Sequence, residues 1–175
     1  TMEENSVAVV SRGNQDDYTI IKKKDESQFG RIVRLSEHYA AVATSTKNVY
    51  VYSRLATAWS PSPLALLTPG ATPLSLEMTN YDIICCMNGQ GARVYSRTRA
   101  SWSTASVLLA GKTINPGRQC GITKNYAITG SSIFQRGSDG MWDTAPLALS
   151  VPSSNRVGIG CQITDNFAVV SSDGN

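Results

Sequence analysis

Short apolar runs, each ended by Gly, Pro, Ser or Asn, follow one another along the chain, and one arrangement of them recurs three times. Val51-Tyr52-Ser53-Arg54 is followed by Trp59, Val94-Tyr95-Ser96-Arg97 by Trp102, and Ile133-Phe134-Gln135-Arg136 by Trp142. The step from Arg to Trp is five residues (54 to 59), five (97 to 102) and six (136 to 142), and the next large aliphatic residue comes five beyond each Trp, at Leu64, Val107 and Leu147. A fixed internal period is the signature of a repeat architecture. A second marker lies upstream of each copy: Glu37-His38-Tyr39, Thr79-Asn80-Tyr81, Lys124-Asn125-Tyr126 and Asp165-Asn166-Phe167. These stand 42 (38 to 80), 45 (80 to 125) and 41 (125 to 166) residues apart. Asn and His tolerate the left-handed backbone that tight hairpins use, so the marker reads as a hairpin turn with that backbone at its Asn or His. Glu4-Asn5-Ser6-Val7 reads as a degraded further copy.

Four short strands per unit follow. Strand one is residues 31–35 or 119–122, strand two 39–43 or 81–86, strand three 49–52 or 92–95, and strand four 64–67 or 107–109. Strand two is a continuous small or apolar run, as in Tyr39-Ala40-Ala41-Val42-Ala43, which is expected of a strand covered on both faces. Turn-forming residues separate the units at Thr68-Pro69-Gly70, Asn115-Pro116-Gly117 and residues 151–155. No stretch carries helical periodicity over the ten or so residues a helix needs.

A repeated four-stranded unit of this length has the period of a β-propeller blade. Phe29-Gly30, Val33-x-Leu35, Tyr39-Ala40-Ala41-Val42, Val49 to Arg54 and Trp59 together resemble the FG-GAP repeat, the blade of the integrin alpha-chain propeller. The resemblance covers nearly the whole chain as a pattern and implies an all-β propeller. Phe-Gly occurs once, Gly-Ala-Pro is absent, and Ser138-Asp139-Gly140 and Ser172-Asp173-Gly174 carry too few carboxylates for the calcium loop of some family members. The expectation is one domain, 1–175, with units at about 1–28, 29–71, 72–117, 118–155 and 156–175. Residues 6–23 read as strands two and three of the first unit, and residues 157–170 as strands one and two of the last. About four blades' worth of strands result, as a small closed ring, a partial one, or one assembled between chains.

Composition narrows the function. Hydrophobic residues make up 41% and charged residues 17%, too apolar for a disordered chain. No apolar run reaches the roughly 18 residues of a membrane helix, and the opening TMEENSVAVV has neither the basic nor the apolar region of a signal peptide. With Lys+Arg 16 against Asp+Glu 13 and a single basic run, Lys22-Lys23-Lys24, a nucleic-acid partner is not expected. One His and four Cys exclude multi-His metal sites and most His-based catalysis. The expectation is a non-enzymatic module with no cofactor, extracellular or at a cell surface with a cytoplasmic location left open, that binds a protein partner, a copy of itself, or a glycan.

The candidate residues each carry two readings. His38 stands where other copies have Asn, which favours a turn residue over a general base. Trp59, Trp102 and Trp142 are either sugar-stacking platforms or wedges between blades, with packing favoured. Residues 133–142 also resemble blades of some sugar-binding propellers. Arg54, Arg97 and Arg136, with Lys23 by alignment, form either a basic ring for an anionic partner or charged protection of strand edges. Lys47, Asn48, Asn88 and Gln90 lie in the loops between strands two and three, where binding specificity commonly resides. Cys85 and Cys86 point to opposite faces of one strand, while Cys120 and Cys161 sit six residues before Tyr126 and Phe167; buried thiols are favoured over zinc or disulfides.

Overall fold

Successive hairpins account for every element. The computed structural model describes residues 6–10, 18–56, 58–87, 90–99, 101–110, 119–149 and 157–172, and among these there is no helix. An N-terminal hairpin joins β1 (Ser6–Val10) to β2 (Tyr18–Lys22). The first sheet runs in order through β3 (Ile32–Leu35), β4 (Tyr39–Ala43), β5 (Val49–Ser53) and β6 (Ala65–Leu67). The second places β7 (Pro73–Met78) beside β8 (Asp82–Met87) and β9 (Gly91–Thr98); the far side of β9 pairs with β10 (Ser101–Trp102) and then β11 (Val107–Leu109). The third follows β12 (Cys120–Ile122), β13 (Tyr126–Thr129), β14 (Ser132–Gln135) and β15 (Leu147–Ala148). A C-terminal hairpin joins β16 (Val157–Ile163) to β17 (Ala168–Ser172). All pairings are antiparallel; the first and third sheets have the four-strand order the repeat predicts, and the second has it with β10 added beside β9.

The sheets pack face to face in chain order because strand two is apolar on both sides. Ala40 and Val42 of β4 bury with Tyr50, Tyr52 and Trp59 against Val7 and Ile21 of the N-terminal hairpin. On the opposite face Ala41 and Ala43 bury with Val49, Val51 and Leu67 against Leu76, Ile83, Cys85 and Trp102 of the second sheet. Ile84 and Cys86 continue the pattern toward Ala127, Phe134 and Trp142 of the third sheet, and Ile128 toward Cys161 and Ile163 of the C-terminal hairpin. Phe29-Gly30 locks the first of these joints. Phe29 is buried edge-on to Tyr50 and Tyr52, and Gly30 has φ +91°, with a Cβ placed there only 2.7 Å from a methyl of Val7. Only glycine meets both the backbone and the space requirement.

Two expectations are corrected. The hairpin marker does not use left-handed backbone at His38, Asn80, Asn125 or Asn166; the positive-φ non-glycine residues described are Gln28, Lys47 and Arg99. The turn is instead made by a hydroxyl residue. Thr79, Thr123 and Thr164 each accept amide hydrogens onto Oγ1 from the second and third residues beyond, and Ser36 Oγ accepts from Tyr39. Each of the four also donates its own amide to the carbonyl of the third residue, at Tyr39, Asp82, Tyr126 and Phe167. These hydroxyl turns stand 43 (36 to 79), 44 (79 to 123) and 41 (123 to 164) residues apart. In the second unit the sequence alignment is therefore one residue out: Asp82, not Tyr81, is the equivalent of Tyr39, and its strand two is Asp82–Met87 rather than residues 81–86.

The N-terminal assignment changes too. Val7 pairs with Ile21 as Val49 pairs with Leu67 and Ala92 with Leu109, and Val7 and Ile21 bury toward the following sheet just as Val49 and Leu67 do. Ile20 is 45% exposed where Leu66 and Leu108 are 42% and 41% exposed. β1 and β2 thus hold the places of strands three and four, not two and three, and Lys23 follows strand four instead of ending strand three. The separators at 115–117 and 151–155 and the segment Glu4-Asn5 lie outside the described residues.

Candidate functional site

Four first strands, β3, β7, β12 and β16, border one cavity of about 560 Å³, so four separate sheets contribute to a single recess. Arg34 comes from β3, Ser75 and Glu77 from β7, Gln119 and Cys120 from the start of β12, and Cys161 and Gln162 from β16. Arg34, Glu77 and Gln162 occupy one repeat position, two residues before the hydroxyl turn; Gly121 holds it in the third unit. Arg34 Nε donates to Glu77 Oε1 at 2.9 Å across the first and second sheets, with both side chains partly exposed to the cavity. The recess offers charge of both signs, two amides and a hydroxyl. Its thiols are inert as nucleophiles: burial pushes Cys161 up to about 12 and Cys120 well above the ordinary thiol value.

The repeated Arg and Trp form the joints between sheets. In each copy the two residues pair antiparallel across a short loop, Arg54 with Trp59, Arg97 with Trp102 and Arg136 with Trp142. Each Arg amide donates to the carbonyl of the second residue beyond a turn hydroxyl, at His38, Tyr81 and Asn125. The loop holds the Trp against the preceding sheet, and Trp59, Trp102 and Trp142 are 9%, 4% and 6% exposed, leaving no open ring face for a sugar. Arg97 lies 5.2 Å from the ring centroid of Tyr39 in the first sheet, and Trp102 meets the same ring edge-on at 5.5 Å. One unit on, Arg136 lies 4.5 Å over Trp142 and forms an ion pair with the fully buried Asp82 of the second sheet, whose Oδ1 also accepts from Ser96 Oγ. Arg54 is exposed.

The loop candidates divide. Asn88 lies outside the described residues, Gln90 is exposed, and Lys47 is exposed with φ +71° at the tip of the β4–β5 turn. Asn48 belongs to a cluster on Glu26: its Nδ2 donates to Glu26 Oε1 at 2.8 Å, and the Tyr50 and Thr46 hydroxyls donate to the same carboxylate. Lys23 Nζ sits 4.9 Å over the Tyr50 ring. Desolvation pushes the Glu26 carboxyl up, but hydrogen bonds from Thr46, Tyr50, Asn48 and Thr44 outweigh it and hold the group below its ordinary 4.5. A carboxyl lowered in the folded state stabilises the fold above its unfolded value, and that contribution disappears as pH falls through the folded value. Thermal midpoints measured from about pH 6 down to pH 3 are expected to drop more for the wild type than for Glu26→Gln; parallel curves would contradict this.

All four cysteines are free and buried. Cys85 faces the first sheet and Cys86 the third, on opposite faces of β8. Cys120 Sγ lies 3.3 Å from Ser75 Oγ, and Cys86 Sγ 3.4 Å from Thr129 Oγ1, so hydroxyls of neighbouring strands satisfy both thiols. Sequence reasoning did not single out Arg34, Glu77, Asp82 or the hydroxyl turns. The turns had a signal, a Ser or Thr three residues before Tyr39, Asp82, Tyr126 and Phe167. No protein-family model matches the chain, and no curated protein matches it.

Proposed function

We propose that the chain is a β-propeller interaction module built of FG-GAP-like blades, which engages a protein partner or a copy of itself and carries out no reaction. Support for the blades comes from three sheets that share one run of four consecutive antiparallel strands, stacked face to face, whose first strands share one cavity. The observation that carries the interaction is at the two terminal hairpins. Among the described residues β1 pairs only with β2 and β17 only with β16, which leaves the outer sides of the two hairpins as sheet edges. Beside those edges Ile20 is 45%, Val169 67% and Phe167 76% exposed. Strand addition satisfies such an edge and covers such side chains together. Removing residues 157–175 is expected to cost the chain its solubility or change its native mass by more than the deleted segment. A truncated chain that stays folded, soluble and otherwise unchanged in mass would overturn the proposal.

A further inference from the structure

We infer that Cys86 and Cys120 form an oxidisable pair: a small peroxide entering the recess converts them to a disulfide that ties the second sheet to the third. The pair lies away from the terminal edges, and oxidation leaves those unchanged.

Two cross-strand pairs meet at this joint. In the second sheet Ser75 of β7 pairs with Cys86 of β8, and in the third Cys120 of β12 pairs with Thr129 of β13. Across the joint Cys120 Sγ lies 3.3 Å from Ser75 Oγ, and Cys86 Sγ 3.4 Å from Thr129 Oγ1, so the four side chains form a ring with the two sulfurs on one diagonal. All four are small, and the sheets come close. The Cys120 amide donates to Ser75 Oγ at 3.1 Å, and Cys120 Sγ lies 3.8 Å from the Ile84 carbonyl of β8 itself. Ile84 and Cys86 face the same way, and along the diagonal the Cys120 thiol donates to the Cys86 sulfur.

The other two cysteines are turned away. Cys85 faces the first sheet, on the opposite side of β8. Cys161 buries with Ile128 and Ile163 on the other side of the third sheet, where its thiol donates to the Gln119 carbonyl at 3.1 Å. Only Cys86 and Cys120 share a buried cluster.

The two thiols are unequal, which gives them separate roles. The hydrogen bond from Cys120, with those from Thr129 and Ser75, holds Cys86 below the ordinary thiol value against its burial, whereas burial and then the Cys86 contact hold Cys120 well above it. Cys86 is therefore the nucleophile. Ser75 and Cys120 are wall residues of the recess, so a peroxide inside it stands one side chain away from Cys86. The Cys86 thiolate attacks one peroxide oxygen, the O–O bond breaks, and the hydroxide released takes up the proton that Cys86 gave, leaving water and a sulfenic acid. The Cys120 sulfur then bonds to the Cys86 sulfur, the S–O bond breaks, and the departing hydroxide leaves as water with the Cys120 proton. Cys120 never stands as a free thiolate. Two thiols are oxidised, one peroxide is reduced, and two waters form.

The folded chain treated with hydrogen peroxide is expected to become two hydrogens lighter. Blocking with iodoacetamide in denaturant, followed by digestion without reduction, is expected to show one disulfide, between Cys86 and Cys120. Cys85→Ala is expected to keep the bond and Cys86→Ser to lose it; either variant, if folded, separates Cys86 from its neighbour. The thermal midpoint of the bonded chain is expected to rise by roughly 5–15 °C and to return when dithiothreitol reduces it. A bond to Cys85 or Cys161, oxygen added to cysteines without a bond, or a bond that forms only in denaturant overturns the inference. So does a bonded chain whose midpoint does not rise.

Discussion

Trp102→Ala is expected to destabilise the fold by about 3–5 kcal/mol, the range for removing a large aromatic side chain from a packed core. The indole is 4% exposed and lies in the cluster joining the first and second sheets, edge-on to Tyr39 and close to Ala41, Val51 and Leu76. The loss acts on a joint, because β10 holds the indole in place through its pairing with Arg97. For a chain of this size that corresponds to a fall in thermal midpoint of roughly 6–20 °C. Leu66→Ala, at a 42% exposed position on the outer strand, is the matched control and is expected to change the midpoint little. Equal small effects from both would mean that the repeated Trp is a surface residue and that the sheets are not wedged by it.

Arg136→Ala is the second large effect, and its reason is electrostatic. Asp82 is 0% exposed and its carboxylate faces Arg136 from the adjacent sheet, with Ser96 as the other donor. Removing one member of a buried pair leaves an uncompensated charge and costs about 3–5 kcal/mol. Neutralising the orphan should restore part of the loss, so Arg136→Ala with Asp82→Asn is expected to be more stable than Arg136→Ala alone. Denaturant midpoints of the two variants and the unaltered chain decide it; a double variant that is the less stable would show that the arginine acts by packing over Trp142 rather than by its charge.

Much of the architecture was legible because it rests on local pairing. The Arg-to-Trp spacing is kept by the backbone bridge the two residues form, and the small-residue run of β4 by burial on both faces. The turn was misread because Asn and His sit one residue before an aromatic in every copy and look like the backbone-determining residues. The hydroxyl that does the work lies further upstream, as Ser36 once and Thr three times. The N-terminal hairpin was assigned two strands wrongly because no Trp follows Arg12, and Lys22-Lys23-Lys24 offered a competing basic position. The cavity was not legible at all. Arg34, Glu77, Gln119 and Gln162 are single polar positions on separate first strands, and only the stacking of the sheets brings them to one recess.

The second and third units clasp the sheet before them, through Arg97 with Trp102 and through Arg136 with Trp142. A nuclear Overhauser spectrum of the intact chain tests this most directly at Trp102 and Tyr39, whose ring centroids lie 5.5 Å apart at an interplanar angle of 88°. Cross-peaks between the ring protons of Trp102 and Tyr39, and from the side chain of Arg97 to the same Tyr39 ring, are the predicted result. A spectrum in which Trp102 shows contacts to residues of its own sheet alone, with none to Tyr39, Ala41 or Val51, would contradict it.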